Sequence, residues 1–132
     1  MEKVTVRMTK SMEFAPVGAK CNELNPKALM LLATATCAGR TAAGIFKKMQ
    51  LQPEMFEITV SGTISTDTVV PETVFTAFDI VYNVECAHLD EQERYGHALR
   101  LTNDKHCGML AMMRRIAPVS HDILIHSTQK QG

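Results

Sequence analysis

Through residues 25–50, NPKALMLLATATCAGRTAAGIFKKMQ, apolar and small side chains form the longest continuous helical pattern in the chain, and the stretches on either side read as parts that cover it. Asn25 can cap its start, because a side-chain oxygen there accepts from a first-turn amide, and Pro26 suits the first helical position, where no donor is needed. From Ala28 to Cys37 only Thr34 and Thr36 interrupt the apolar run, so this half is expected to be enclosed on most sides. In the far half Ile45, Phe46 and Met49 repeat at helical spacing while Lys47, Lys48 and Gln50 are polar. That half is expected to emerge at the surface, with its cations near the C-terminal end, where they complement the macrodipole.

Two further stretches alternate with period two. In 55–66, Phe56, Ile58, Val60 and Ile64 stand against Glu57, Thr59, Ser61 and Thr63; in 74–85, Phe78, Ile80, Tyr82 and Val84 stand against Asp79, Asn83 and Glu85. Each predicts a strand with one wet face, and the connection at 67–72, containing Pro71, lets the two pair antiparallel. Shorter alternations at 1–7 and 121–126 predict a first and a last strand, and 13–17 has room for another. Asp90, followed by Glu91 and Glu93, marks the start of a second helix over 90–103, with Tyr95, Ala98 and Leu99 along one side. Residues 104–107 read as a short break before an apolar helical turn at 109–113. Runs of strands and runs of helices predict an α+β fold in which an antiparallel sheet covers a long central helix, and the length predicts one domain over 1–132.

Nine Met and five Phe, with two Tyr and no Trp, predict a core that is aliphatic and sulfur-rich rather than aromatic. Fourteen basic and fourteen acidic residues cancel, which argues against nucleic acid or an anionic membrane surface as partner. The apolar part of the central pattern is shorter than the roughly 18 to 20 residues of a membrane span, and 1–20 lacks a secretory apolar core, so a soluble cytoplasmic protein is expected. The four cysteines include no CxxC pair and are too scattered for a disulfide scaffold. In a reducing compartment they are core residues or reactive thiols.

Cys37 lies within the central helix, with Arg40 and Thr41 three and four residues on and therefore on the same face. A cysteine there is ordinarily a small apolar filler. To act as thiolate so far from the helix N-terminus it needs a cation, and the Arg40 guanidinium is in reach, where it would also hold an oxygen-bearing substrate. Arg40 serves equally well as a solvated residue. Cys107 falls at or near a helix N-terminus beside Lys105 and His106, features that favour thiolate, although packing alone also accounts for it. Cys21, in a loop, and Cys86, at a strand end, read as structural. The five histidines give no zinc spacing, and there is no Gly-rich phosphate loop, GxSxG or HExxH, so no cofactor is expected.

Three stretches in order, NPKALMLLATATCAG (25–39), VPETVFTAFDIVYNVE (70–85) and LDEQERYGHALRLTNDKHCGML (89–110), resemble the OsmC/Ohr family of osmotically induced and organic hydroperoxide resistance proteins. That family has an Asn/Ser-Pro helix start leading to one cysteine and, later, an Ala-rich helix ending in a turn that carries a second; Cys37 and Cys107 match these. The resemblance implies an intertwined homodimer with long helices at its centre and a thiol peroxidase site at each subunit interface. Cys37 would attack a hydroperoxide and become a sulfenic acid; Cys107 would resolve it as a disulfide, which an external dithiol reduces. No metal, flavin or haem is implied. The organic-hydroperoxide branch usually has Glu after the Asn-Pro start, partnered by an N-terminal arginine. Here that position is Lys27, and Arg7 is the arginine available ahead of the helix, so the chain looks like a divergent OsmC-like member. The alternative is a small-molecule binding or redox-sensing module on the same fold.

Overall fold

The computed structural model describes residues 1–65 and 73–128. The connection expected at 67–72 lies outside the described residues. Strands β1 (Glu2–Met8), β2 (Phe14–Pro16), β3 (Met55–Ile64), β4 (Phe75–Cys86) and β5 (Val119–Ser127) form one sheet in the order β2-β1-β3-β4-β5. The alternation sets the pairing of the two long strands: Phe56 opposes Val84, Ile58 opposes Tyr82 and Val60 opposes Ile80, all of them buried. β1 pairs antiparallel with both β2 and β3. β5 joins β4 in parallel, because two helices intervene and return the chain in its original direction. A register shift between Thr63 and Ile64 takes Ile64 out of the fully buried row. Gly62 holds the inward position there, and the Phe75 ring lies where a Cβ would stand.

Helix α1 (Pro26–Lys48) begins as its sequence predicts. The Ala28 amide donates to Asn25 Oδ1 at 2.8 Å, and Asn25 Nδ2 donates to Glu2 Oε1 at 3.0 Å, which ties the helix start to β1. At the other end Arg94 donates to the Met49 carbonyl at 2.5 Å. The buried residues Ala28, Leu31, Ala35, Ala38, Ala42 and Phe46 run as one stripe along the whole helix, which packs chiefly on β1 and β3. The expectation of an enclosed first half and an emerging second half is therefore corrected: Leu29 and Ala33 are exposed in the first half, while Phe46 is buried in the second. The cause is that this sheet covers one side of α1 along its length. By length and composition α1 could also cross a membrane, contrary to the sequence expectation, but its buried stripe is used against elements of the same chain.

A single 3₁₀ turn, Leu89–Glu91, runs directly into α2 (Gln92–Leu101). Asp90 is thus inside a turn and not a cap, and α2 starts without a side-chain cap bond. The break expected at 104–107 is instead a π-helical turn, Thr102–His106, which continues α2 before α3 (Gly108–Met113). Through the middle of the molecule Phe14, Phe56, Phe46 and Tyr95 stack edge to face in sequence, with centroids 5.8, 5.2 and 5.0 Å apart. Among the described residues Met113 is the one fully buried methionine. The buried core is mainly aliphatic, as composition predicts, but a chain of aromatic rings runs through its centre and the methionines, apart from Met113, lie around it, so the sulfur-rich part of the expectation is corrected.

Candidate functional site

Cys37 is half-buried in mid-α1, one residue before Ala38 of the buried stripe. Cys107 is buried and ends the π turn, its amide donating to the Thr102 carbonyl at 3.0 Å before the extended backbone of Cys107 opens α3. Two residues 70 apart in sequence are thereby brought together: the Cys107 thiol donates toward the Cys37 sulfur at an Sγ–Sγ distance of 3.6 Å. A disulfide has its sulfurs about 2.05 Å apart, so a bridge requires a closing movement of about 1.5 Å.

Arg40 is exposed and makes no hydrogen bond or ion pair among the described residues. Arg7 pairs with Glu57, its Nε donating at 2.6 Å. It follows the inward-facing Val6 and so belongs to the sheet face turned away from α1. Lys105 and His106 are exposed. Burial pushes the Cys107 thiol up to about 11, the amides of Leu110 and Met109 pulling it down and the neighbouring Cys37 raising it further. The expectation that local charge and a helix N-terminus favour Cys107 thiolate is therefore overturned by desolvation. At neutral pH Cys107 keeps its proton and offers it to Cys37.

A polar network that sequence reasoning missed, rooted in buried Tyr82 and Asn103 and reaching the exposed Asp104 and Arg114, adjoins the turn that carries Cys107. The Tyr82 hydroxyl, on β4, donates to Asn103 Oδ1 at 2.9 Å; Asn103 Nδ2 donates to Asp104 Oδ1 at 3.1 Å; and the Arg114 guanidinium donates to the Asn103 carbonyl. Burial first, and then the charge of a Cys107 thiolate, raise the Tyr82 phenol above its ordinary value. Tyr82 reads in sequence as one more apolar position of β4. The available signal was that a buried tyrosine needs a partner for its hydroxyl.

Cys86 is buried and donates to the His88 carbonyl at 3.4 Å, with its thiol pushed up by burial; Cys21 is exposed in a 3₁₀ turn, and neither joins the sulfur pair. Among the described residues no cluster of three His, Cys, Asp or Glu could hold a metal. A cavity of about 640 Å³ opens at the C-terminal end of α1, lined in part by Met8, Met12, Phe46, Leu51, Met55 and Phe56. Neither Cys37 nor Cys107 lines it.

Fold and sulfurs together define a class, a small α+β protein with two facing cysteines where its central helix meets a short later one. The chain belongs to the OsmC-like protein family, whose pattern matches residues 19–122. Among solved structures it is similar to a hypothetical protein from Aquifex aeolicus VF5, with TM-score 0.61 and 20% identity over 87% of this chain and 82% of that one. An OsmC-like protein from Mycoplasma pneumoniae gives TM-score 0.59 and 10% identity over 95% and 96% of the two chains. The organic hydroperoxide resistance protein OhrB of Bacillus subtilis gives 0.54 and 14% over 93% and 97%. At these identities the likeness is one of fold. No curated protein matches the sequence.

Proposed function

We propose that the chain is a soluble, cytoplasmic, thiol-dependent peroxidase that reduces hydroperoxides, organic ones in particular, and works as a homodimer of single-domain subunits over 1–132. Cys37 thiolate attacks the distal peroxide oxygen, the O–O bond breaks, and the alkoxide leaves and takes a proton as the alcohol. Cys37 is left as a sulfenic acid. Cys107 sulfur then attacks the Cys37 sulfur, expelling hydroxide, which leaves as water with the Cys107 proton, and an external dithiol reduces the disulfide. Arg40, on the same helix face as Cys37, supplies positive charge for thiolate and peroxide. One observation carries the reading: the two sulfurs are 3.6 Å apart, with the proton held on Cys107 and directed at Cys37.

A non-catalytic binding or redox-sensing role is the second reading. It is favoured by Lys27 at the position where the organic-hydroperoxide branch carries Glu, and by the absence of an acidic partner for Arg40 among the described residues. The readings separate on adding an alkyl hydroperoxide to the reduced protein. A peroxidase loses free thiols stoichiometrically and turns over with a dithiol. Cys37→Ser should consume no peroxide, whereas Cys107→Ser should consume about one equivalent and stall at a sulfenic acid that dimedone traps. If Cys107→Ser loses the first equivalent, the two roles are reversed. If neither variant differs from the parent, the binding reading stands.

A further inference from the structure

The π turn before Cys107 is an unusual use of backbone. It replaces i→i+4 bonding with i→i+5, as in the Cys107 amide's bond to Thr102, and such turns are rare and concentrate at functional sites. Each residue of an α-helix turns about 100° round the axis, so a slip of the turn back into α register would carry Cys107 away from Cys37. Something must hold the wider register. Asn103, 3% exposed, sits inside the turn and is held on three sides: by Tyr82 from the sheet, by Asp104 from the turn itself and by Arg114 from beyond α3. Buried polar residues are few, and two of the three among the described residues, Thr102 and Asn103, belong to this turn.

We propose that Tyr82 and Asn103 are positioning residues that lock the π register and so set the rate at which Cys107 closes on Cys37. Tyr82 touches neither sulfur in this role. It acts through Asn103, fixing the turn to the rigid centre of the sheet, where β4 is paired on both sides. The step it governs is the resolving one: the Cys107 sulfur forms the new S–S bond, the Cys37 S–O bond breaks, and water leaves. The inference takes this step from the peroxidase reading, but the dithiol geometry on which it rests is independent of the oxidant.

The test uses the full chain. Tyr82→Phe removes one oxygen and should consume the first equivalent of alkyl hydroperoxide within about twofold of the parent, because Cys37 is untouched. Disulfide closure should slow about fivefold, the equivalent of one buried hydrogen bond, and the longer-lived sulfenic acid should give more dimedone adduct and more sulfinic acid. Asn103→Leu should slow closure similarly, and adding Tyr82→Phe to it should slow it no further. Val4→Ala, a buried change on β1 opposite Val60 and without contact in register to Tyr82, should leave closure at the parent rate. Closure is also measured with diamide, which takes two electrons and two protons from the dithiol. A parent that closes with diamide but spares the hydroperoxide defeats the peroxidase reading while leaving the positioning role to be judged by the same variants. Parent-rate closure in Tyr82→Phe overturns the proposal, as does independent slowing by the two substitutions. If Asn103→Leu does not fold, Tyr82→Phe alone decides.

Discussion

Cys107 shows at the level of one side chain how burial outweighs neighbouring charge. Lys105, His106 and a helix start all favour its thiolate, yet loss of water raises the thiol from its ordinary 9.0 to about 11. Cys86, Tyr82 and Tyr95 are raised as well, each first by burial. All four are neutral when protonated, so the folded state keeps protons that the unfolded chain gives up. Their contribution to stability is complete below the ordinary thiol value of 9.0, declines as pH rises toward 11 for Cys107, and continues to decline above the ordinary phenol value of 10.0 for the tyrosines. The urea midpoint of the reduced protein should thus be level from about pH 7 to 8 and fall above about pH 9. A midpoint that climbs through that range would mean these groups are not buried as described.

At the scale of elements, contacts between side chains of adjacent layers fix where helices and strands sit. Gly39 is the point where β2 crosses α1: a Cβ there would stand 2.6 Å from Phe14 Cε1, and Phe14 in turn packs edge-on against Phe56. Gly39→Ala should force β2 and Phe14 outward and lower stability by about 1–3 kcal/mol in denaturant titration, despite the better helix propensity of alanine. Asn25→Ala, which removes the bond from the Ala28 amide, should lower it by about 1 kcal/mol. An unchanged midpoint for Gly39→Ala would show that Phe14 has room to move. These elements differ in how much of them the sequence discloses. The Asn25-Pro26 start and the alternation of β3 and β4 are local signals, so α1 and the central strand pair were legible. Pairing direction is not written into alternation; the one sign that β5 returns parallel to β4 is the pair of helical segments between them, which make a crossover and leave no hairpin turn. The π turn depends on Tyr82, 21 residues before Asn103, and no local pattern distinguishes it from a break. Cys37 and Cys107 could be named together through family resemblance; their spacing alone carries no sign that they meet.

Across the whole molecule, one side of α1 is covered by this chain's sheet while Leu29, Ala33, Arg40 and Gly44 remain exposed, as do Met112 at the end of α3 and Ile116 beyond it. An apolar flank along a central helix is the surface that a second subunit would cover, and for the proposed homodimer it puts the half-buried Cys37 beside the interface. The protein is therefore expected to sediment at twice the 14.6 kDa of the chain, at micromolar concentration and below. Ala33→Lys decides whether this flank is the interface. On a monomer a lysine at an exposed helix position changes stability by no more than about 0.5 kcal/mol, because its ammonium stays in water. At a covered apolar contact it must be desolvated twice across a symmetric interface, so the variant should sediment as a monomer and melt at a lower, concentration-independent temperature. A parent that remains monomeric removes the dimer from the proposed function. A variant that stays dimeric with an unchanged melting temperature moves the interface away from the open side of α1.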